Sequence, residues 1–158
     1  SPGLGRGSEF TVELPLIAAE QRPALQPTAA PASPAIGDRK RVLIVDDNVD
    51  AAEMLMFALE ALGYEVAIAH DGPKGLDVAQ RFEPNTALVD IGLPVMSGYE
   101  LAPRLRELNP SLCLVAVTGY GQEEDRRRSK AAGFDGHLVK PVDLAILGRE
   151  LEAIQARR

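Results

Sequence analysis

From residue 40 onward, short apolar runs alternate with longer stretches in which apolar residues recur every three or four positions. Arg41–Val45, Glu65–Ala69, Thr86–Asp90, Leu112–Val117 and Gly136–Val139 are rich in Val, Ile and Leu and predict strands. Asp50–Leu62, Gly72–Phe82, Gly98–Leu108, Gln122–Ala132 and Asp143–Gln155 predict helices, the first closed by Gly63 and the second stopped before Pro84. Five βα units result. Strands that stay apolar along their length, each followed by a helix, predict a parallel sheet covered on both faces, an α/β doubly wound architecture. Pro103 falls in the second turn of the third helix, where its missing N–H predicts a late start or a kink.

Residues 1–39 follow no such alternation and hold 6 of the chain's 12 prolines. Phe10–Leu14 alternates apolar and polar with period two, a strand signal without a neighbouring partner strand. The stretch from Glu20 to Ile36, built largely of Pro, Ala, Gln, Thr and Ser, has linker composition. The expected division is a strand-bearing piece at 1–18, a linker at 19–39 and one compact domain at 40–158.

Composition narrows the function. Of 158 residues, 46% are hydrophobic, enough for a sizeable core, yet the longest apolar run is Leu112–Val117, far short of a membrane span. A soluble chain without membrane contact is expected. A net charge of −6, with 4% aromatics and no Trp, argues against nucleic acid as a partner. The one cysteine, Cys113, sits in an apolar run and reads as a core thiol suited to a reducing cytoplasm.

In open parallel sheets, ligands bind beyond the carboxyl ends of the strands. Here the first strand ends in Asp46-Asp47, the third in Asp90, the fourth in Thr118, and the fifth in Lys140, followed by Pro141. If the strand order is the flavodoxin-like 2-1-3-4-5, the first and third strands are neighbours and three carboxylates converge. Such a cluster calls for a cation, and all-oxygen ligands with room for water suit Mg2+. The alternative for Asp46-Asp47-Asn48 is a plain helix N-cap. Asp90 precedes Ile91-Gly92-Leu93-Pro94, where no helix begins, and capping does not account for four strand ends at once.

VLIVDDN at the first strand, ALVDIGLPVMSGYEL around the third, VAVTGYG at the fourth and GFDGHLVKPVD at the fifth together resemble the receiver domains of two-component response regulators, from about Arg41 to Ala156. The resemblance implies a flavodoxin-like (βα)5 fold in which Asp90 accepts a phosphoryl group. It implies that Asp46, Asp47, Asp90 and the Gly92 carbonyl hold Mg2+, that Thr118 and Lys140 contact the phosphoryl group, and that Lys140-Pro141 is cis. The implied donor is the phosphohistidine of a histidine kinase or phosphotransfer domain. It also implies an output surface on the face of the fourth helix, fifth strand and fifth helix, with Thr118 and His137 as the expected switch. The chemistry agrees: a carboxylate can attack phosphorus to give an acyl phosphate, and the reaction needs chiefly positioning and charge neutralisation.

Several residues carry two readings. His137 stands where the family often has Tyr or Phe, and is either the switch or an exposed strand histidine. His70, ending the second strand, reads as a surface residue. Gly92 and Tyr120 each lie two residues past an anchor, Asp90 and Thr118, and are expected to set the lifetime of the acyl phosphate; a packed loop aromatic is the alternative for Tyr120. Arg126-Arg127-Arg128 after Glu123-Glu124-Asp125 reads as a solvated helix. Gly5–Leu16 resembles the last glycine box and final strand of a histidine-kinase ATPase domain, so the chain is expected to be the C-terminal receiver of a hybrid sensor kinase that can itself be membrane-anchored. No effector domain is expected after Arg158. An orphan strand that can pair between molecules leaves weak self-association possible. The rivals are an aspartyl-phosphate phosphatase, which would need an acid where Gly92 stands, and a pseudo-receiver, which would lack the full set of site residues.

Overall fold

The computed structural model describes residues 40–119 and 123–157. The expectations for 1–39, including the strand at Phe10–Leu14, and for Tyr120 lie outside the described residues. The elements run β1 (Arg41–Val45), α1 (Val49–Ala61), β2 (Glu65–Ala69), α2 (Gly72–Phe82), β3 (Thr86–Asp90), α3 (Gly98–Leu108), β4 (Cys113–Thr118), α4 (Glu123–Ala131), β5 (Gly136–Val139) and α5 (Leu147–Ala156). All strand pairs are parallel and the order is β2-β1-β3-β4-β5.

Alternation along the strands sorts their side chains into two cores. Val42, Ile44, Leu88, Cys113, Val115 and Val117 pack with Leu55 and Leu59 of α1 and Leu147 and Leu151 of α5. Leu43, Val45, Val89, Leu114 and Ala116 face the other way, against Ala79 of α2 and Leu101, Ala102 and Leu105 of α3. A strand buried on both faces has no polar side to show, which is why the runs read as continuously apolar. Cys113 is buried, as its neighbours predict.

Local signals place the helix ends. Asn48 Oδ1 accepts from Ala51 N–H at 3.1 Å and caps α1, which therefore starts one residue earlier than its pattern suggests. Gly63, at φ 86°, closes α1: its N–H reaches Glu60 O at 2.9 Å, and Tyr64 N–H reaches Leu59 O at 3.0 Å. At α3 the Ser97 hydroxyl and N–H both donate to Glu100, holding its carboxyl below the usual range.

Three further features bear on the expected pattern. α3 starts at Gly98 and continues through Pro103, which excludes the late start; its buried Leu101, Ala102 and Leu105 hold it against the sheet. α5 begins at Leu147, four residues late, because Asp143 makes a turn of its own, with Oδ1 accepting from Ala145 N–H and the carbonyl from Ile146 N–H. β4 is shifted one residue along, to include Thr118. The Lys140-Pro141 peptide is cis.

Candidate phosphoacceptor site

The register of β1, β3 and β4 brings Val45 beside Val89 and Asp90 beside Val117, so the strands end together. Asp46 continues β1 by one bond, its N–H donating to Ala69 O at 3.1 Å. Its carboxylate is buried, 2% exposed; Oδ1 accepts from Asn48 N–H at 2.9 Å and Oδ2 from Lys140 Nζ at 2.7 Å. Asp90, 9% exposed, accepts from Gly92 N–H on Oδ1 at 3.0 Å and from the same Lys140 ammonium on Oδ2 at 2.7 Å. Asp47 stands exposed at the mouth. Because Asn48 makes the helix cap, the plain-capping alternative for Asp46 and Asp47 falls away.

Lys140 is delivered by β5, whose end is tied to β4 through Lys140 N–H to Thr118 O at 2.8 Å. Burial alone would lower its pKa. The hydrogen bonds and charges of Asp46 and Asp90 outweigh burial and hold the ammonium above its ordinary value. Thr118, 5% exposed, ends β4 beside Val139 of β5.

Oxygen atoms of Asp46, Asp47 and Asp90 lie within 4.8 Å of one another. Opposite ligands of an octahedral Mg2+ are about 4.2 Å apart, so the three carboxylates match a hard divalent cation with small adjustment. The donor set, carboxylate oxygens alone with Asp47 open to solvent, agrees with that ion.

Two residues of this site escape sequence reasoning. Gly98 opens α3 directly beneath Asp90: a Cβ there would stand 2.5 Å from the Asp90 carbonyl oxygen and 2.9 Å from Ile91 Cα, both backbone. Any larger residue displaces the end of β3; the signal was a glycine at the first helical position after a Ser. His70 corrects the surface reading given above. It is half-buried and its Nδ1 lies 3.0 Å from the Asp46 carbonyl.

His137 pairs with Ala116 and so points to the α3 and α4 side of the sheet, where its Nδ1 lies 3.4 Å from Ser129 Oγ. It stands in a groove of about 620 Å3 between α4 and α5, lined also by Arg126, Lys130, Ile154 and Arg157. It is half-buried rather than exposed, which sets aside the plain surface alternative.

The chain matches the family described as response regulator receiver domain over residues 42–152. It belongs to that family. Among relatives, it is 36% identical over 121 residues to sensor histidine kinase RcsC of Salmonella typhimurium, covering 77% of this chain and 13% of the kinase. It is 34% identical over 121 residues to the probable transcriptional regulatory protein TcrX of Mycobacterium tuberculosis, covering 77% of this chain and 52% of that protein. A CheY-like receiver domain protein of Methanospirillum hungatei superposes with a TM-score of 0.70 at 36% identity, covering 76% of this chain and 96% of that one. The receiver therefore spans only a small part of RcsC and about half of TcrX. As a receiver domain of two-component systems it is a phosphoaccepting module that works with histidine kinases or phosphotransfer proteins. No helix among the described residues is long and apolar enough to cross a membrane.

Proposed function

We propose that the receiver takes a phosphoryl group from a phosphohistidine onto Asp90 and passes the change to the face of α4, β5 and α5. The observation that carries this reading is the Lys140 ammonium, 2.7 Å from both Asp46 and Asp90, beside a third carboxylate at the mouth of the site. An Asp90 oxygen attacks phosphorus, the bond from phosphorus to the imidazole nitrogen breaks, and the donor ring keeps the electron pair and is protonated. Asp46, Asp47, Asp90 and the Gly92 carbonyl are the residues that would hold Mg2+, which when bound neutralises charge on the transferring oxygens. Lys140 supplies a second positive charge and Thr118 a hydroxyl donor to the phosphoryl group. Gly92 offers no side chain to orient an attacking water and Tyr120 is assigned the cover over that approach, so both tune the lifetime.

Thr118 and His137 are proposed as the switch. Thr118 moves toward the phosphoryl group, and His137, next to Ser129 in the groove between α4 and α5, reports that movement. Val49, Met54 and Phe57 are exposed on α1, the helix that starts at the site, and Leu62 is exposed at its C-cap; they support docking of the histidine-bearing donor there. Residues 1–18 are assigned to the end of a kinase ATPase domain, 19–39 to a linker and 40–158 to the receiver of a cytoplasmic, hybrid-kinase segment. The linker composition and the likeness to RcsC support this assignment.

The test is incubation with Mg2+ and acetyl phosphate followed by intact mass and site mapping. Wild type should gain one phosphoryl group, base-labile and on Asp90, and only with Mg2+ present; Asp90→Asn should stay folded and gain none. Labelling that persists in Asp90→Asn would sink the assignment.

A further inference from the structure

The peptide joining Asp46 to Asp47 carries a side-chain contact that phosphoryl transfer does not require. β1 and β2 pair through Val45 and Ala69, and the ladder continues with Asp46 N–H donating to Ala69 O at 3.1 Å. A parallel ladder would next bring a backbone N–H of the neighbouring strand to the Asp46 carbonyl. There β2 leaves the sheet: Asp71 becomes the N-cap of α2, its carboxylate accepting from Lys74 N–H at 2.7 Å. The Asp46 carbonyl instead meets His70 Nδ1 at 3.0 Å. A carbonyl oxygen has only lone pairs to offer, so Nδ1 carries the hydrogen and donates.

We infer that His70 is a positioning residue for the metal-binding elbow, its Nδ1–H clamping the Asp46 carbonyl so that Asp47 leaves β1 in the direction a divalent cation needs. The peptide is planar, so holding that carbonyl also fixes the N–H and Cα of Asp47. The Asp46 carboxylate is already held by Asn48 and Lys140, whereas the exposed Asp47 depends on the direction its backbone takes. His70 is not one of the three clustered ligands, so it acts through the peptide and not on the ion. Outer partners of this kind, which hold a ligand without touching the metal, typically change affinity by an order of magnitude or more. This inference rests on the proposed reading of Asp46, Asp47 and Asp90 as the Mg2+ set.

The experiment titrates Mg2+ alone into the full chain as wild type, His70→Ala and His70→Asn, following the backbone amide resonances of Asp47 and Asn48. An asparagine amide nitrogen stands close to where a histidine Nδ1 stands and can donate the same bond. His70→Ala should raise the Mg2+ midpoint roughly tenfold, and His70→Asn should recover most of that loss. A packing role would not separate Asn from Ala. An unchanged midpoint in His70→Ala, or His70→Asn no better than Ala, overturns the assignment. Should His70→Ala not fold, the imidazole 15N shifts of wild type decide: hydrogen on Nδ1 supports the clamp, and a ring protonated only at Nε2 rejects it. A wild type that takes up no Mg2+ overturns the proposed function itself, whereas a responsive wild type with an indifferent His70→Ala overturns only the role of His70.

Discussion

α3 and α4 lie against the same face of the sheet but are held there by different means. α3 buries Gly98, Leu101, Ala102 and Leu105, and its Arg106 ties the far end of the sheet together by donating to Leu112 O, Gly133 O and Asp135. Of the described residues of α4, Ser129 alone is buried, and its hydroxyl turns back to Asp125 O at 2.9 Å. Otherwise α4 is fastened by a glycine-closed end, where Gly133 N–H meets Lys130 O and Phe134 N–H meets Ser129 O, and by Arg128 stacked 4.4 Å from the Tyr99 ring of α3. The difference separates two tasks. A helix anchored by several apolar side chains cannot shift without opening voids, which suits α3, whose first residue lies under Asp90. A helix held by a hydroxyl and a cation over a ring can be repositioned at small cost, which suits the proposed output face around His137.

The contrast can be broken most sharply in α3. Leu105→Ala removes a fully buried side chain, 0% exposed, and should cost about 2–5 kcal/mol in urea unfolding; a loss below 1 kcal/mol would show that α3 is not the rigid partner.

An intermediate effect is expected at Lys140, whose folded pKa is raised. A group of that kind contributes its full stabilisation below its unfolded pKa of about 10.4, and that contribution is lost as pH rises through the still higher folded value. Wild type should therefore exceed Lys140→Met in unfolding free energy at neutral pH, and on the alkaline side the gap should narrow above about pH 10.4. A gap that closes between pH 5 and 8 would assign the effect to other groups.

The smallest change is expected from Arg128→Ala, which removes the cation over Tyr99 at roughly 0.5–1 kcal/mol for a partly exposed pair. Amide exchange in α4 should quicken while that in α3 stays as it was. Equal quickening in both helices would erase the distinction between them.

Much of this was legible from residues alone. A parallel sheet buried on both faces demands strands without a polar side, and RVLIV, TALVD and LCLVAV have that character whatever surrounds them. Glycine and proline punctuation closed α1 at Gly63 and α2 before Pro84, because backbone geometry at those residues is local. The strand-end carboxylates, Thr118 and Lys140 could be recognised for the same reason: a residue's place at a strand end depends on its own segment.

What needed the tertiary structure was each relation between segments distant in sequence. Pro103 weakens α3 by a local rule, but burial of Leu101, Ala102 and Leu105 against the sheet overrides it. Gly98 looks like any helix-opening glycine until the Asp90 carbonyl is placed 2.5 Å from where its Cβ would be. His70 reads as a surface residue until β2 is laid beside β1, when its ring meets the Asp46 carbonyl 24 positions away. Local sequence determined the elements and the chemical types at their ends. Packing decided which of those ends touch, because van der Waals contact and hydrogen bonding act over a few ångströms in space and are indifferent to separation along the chain.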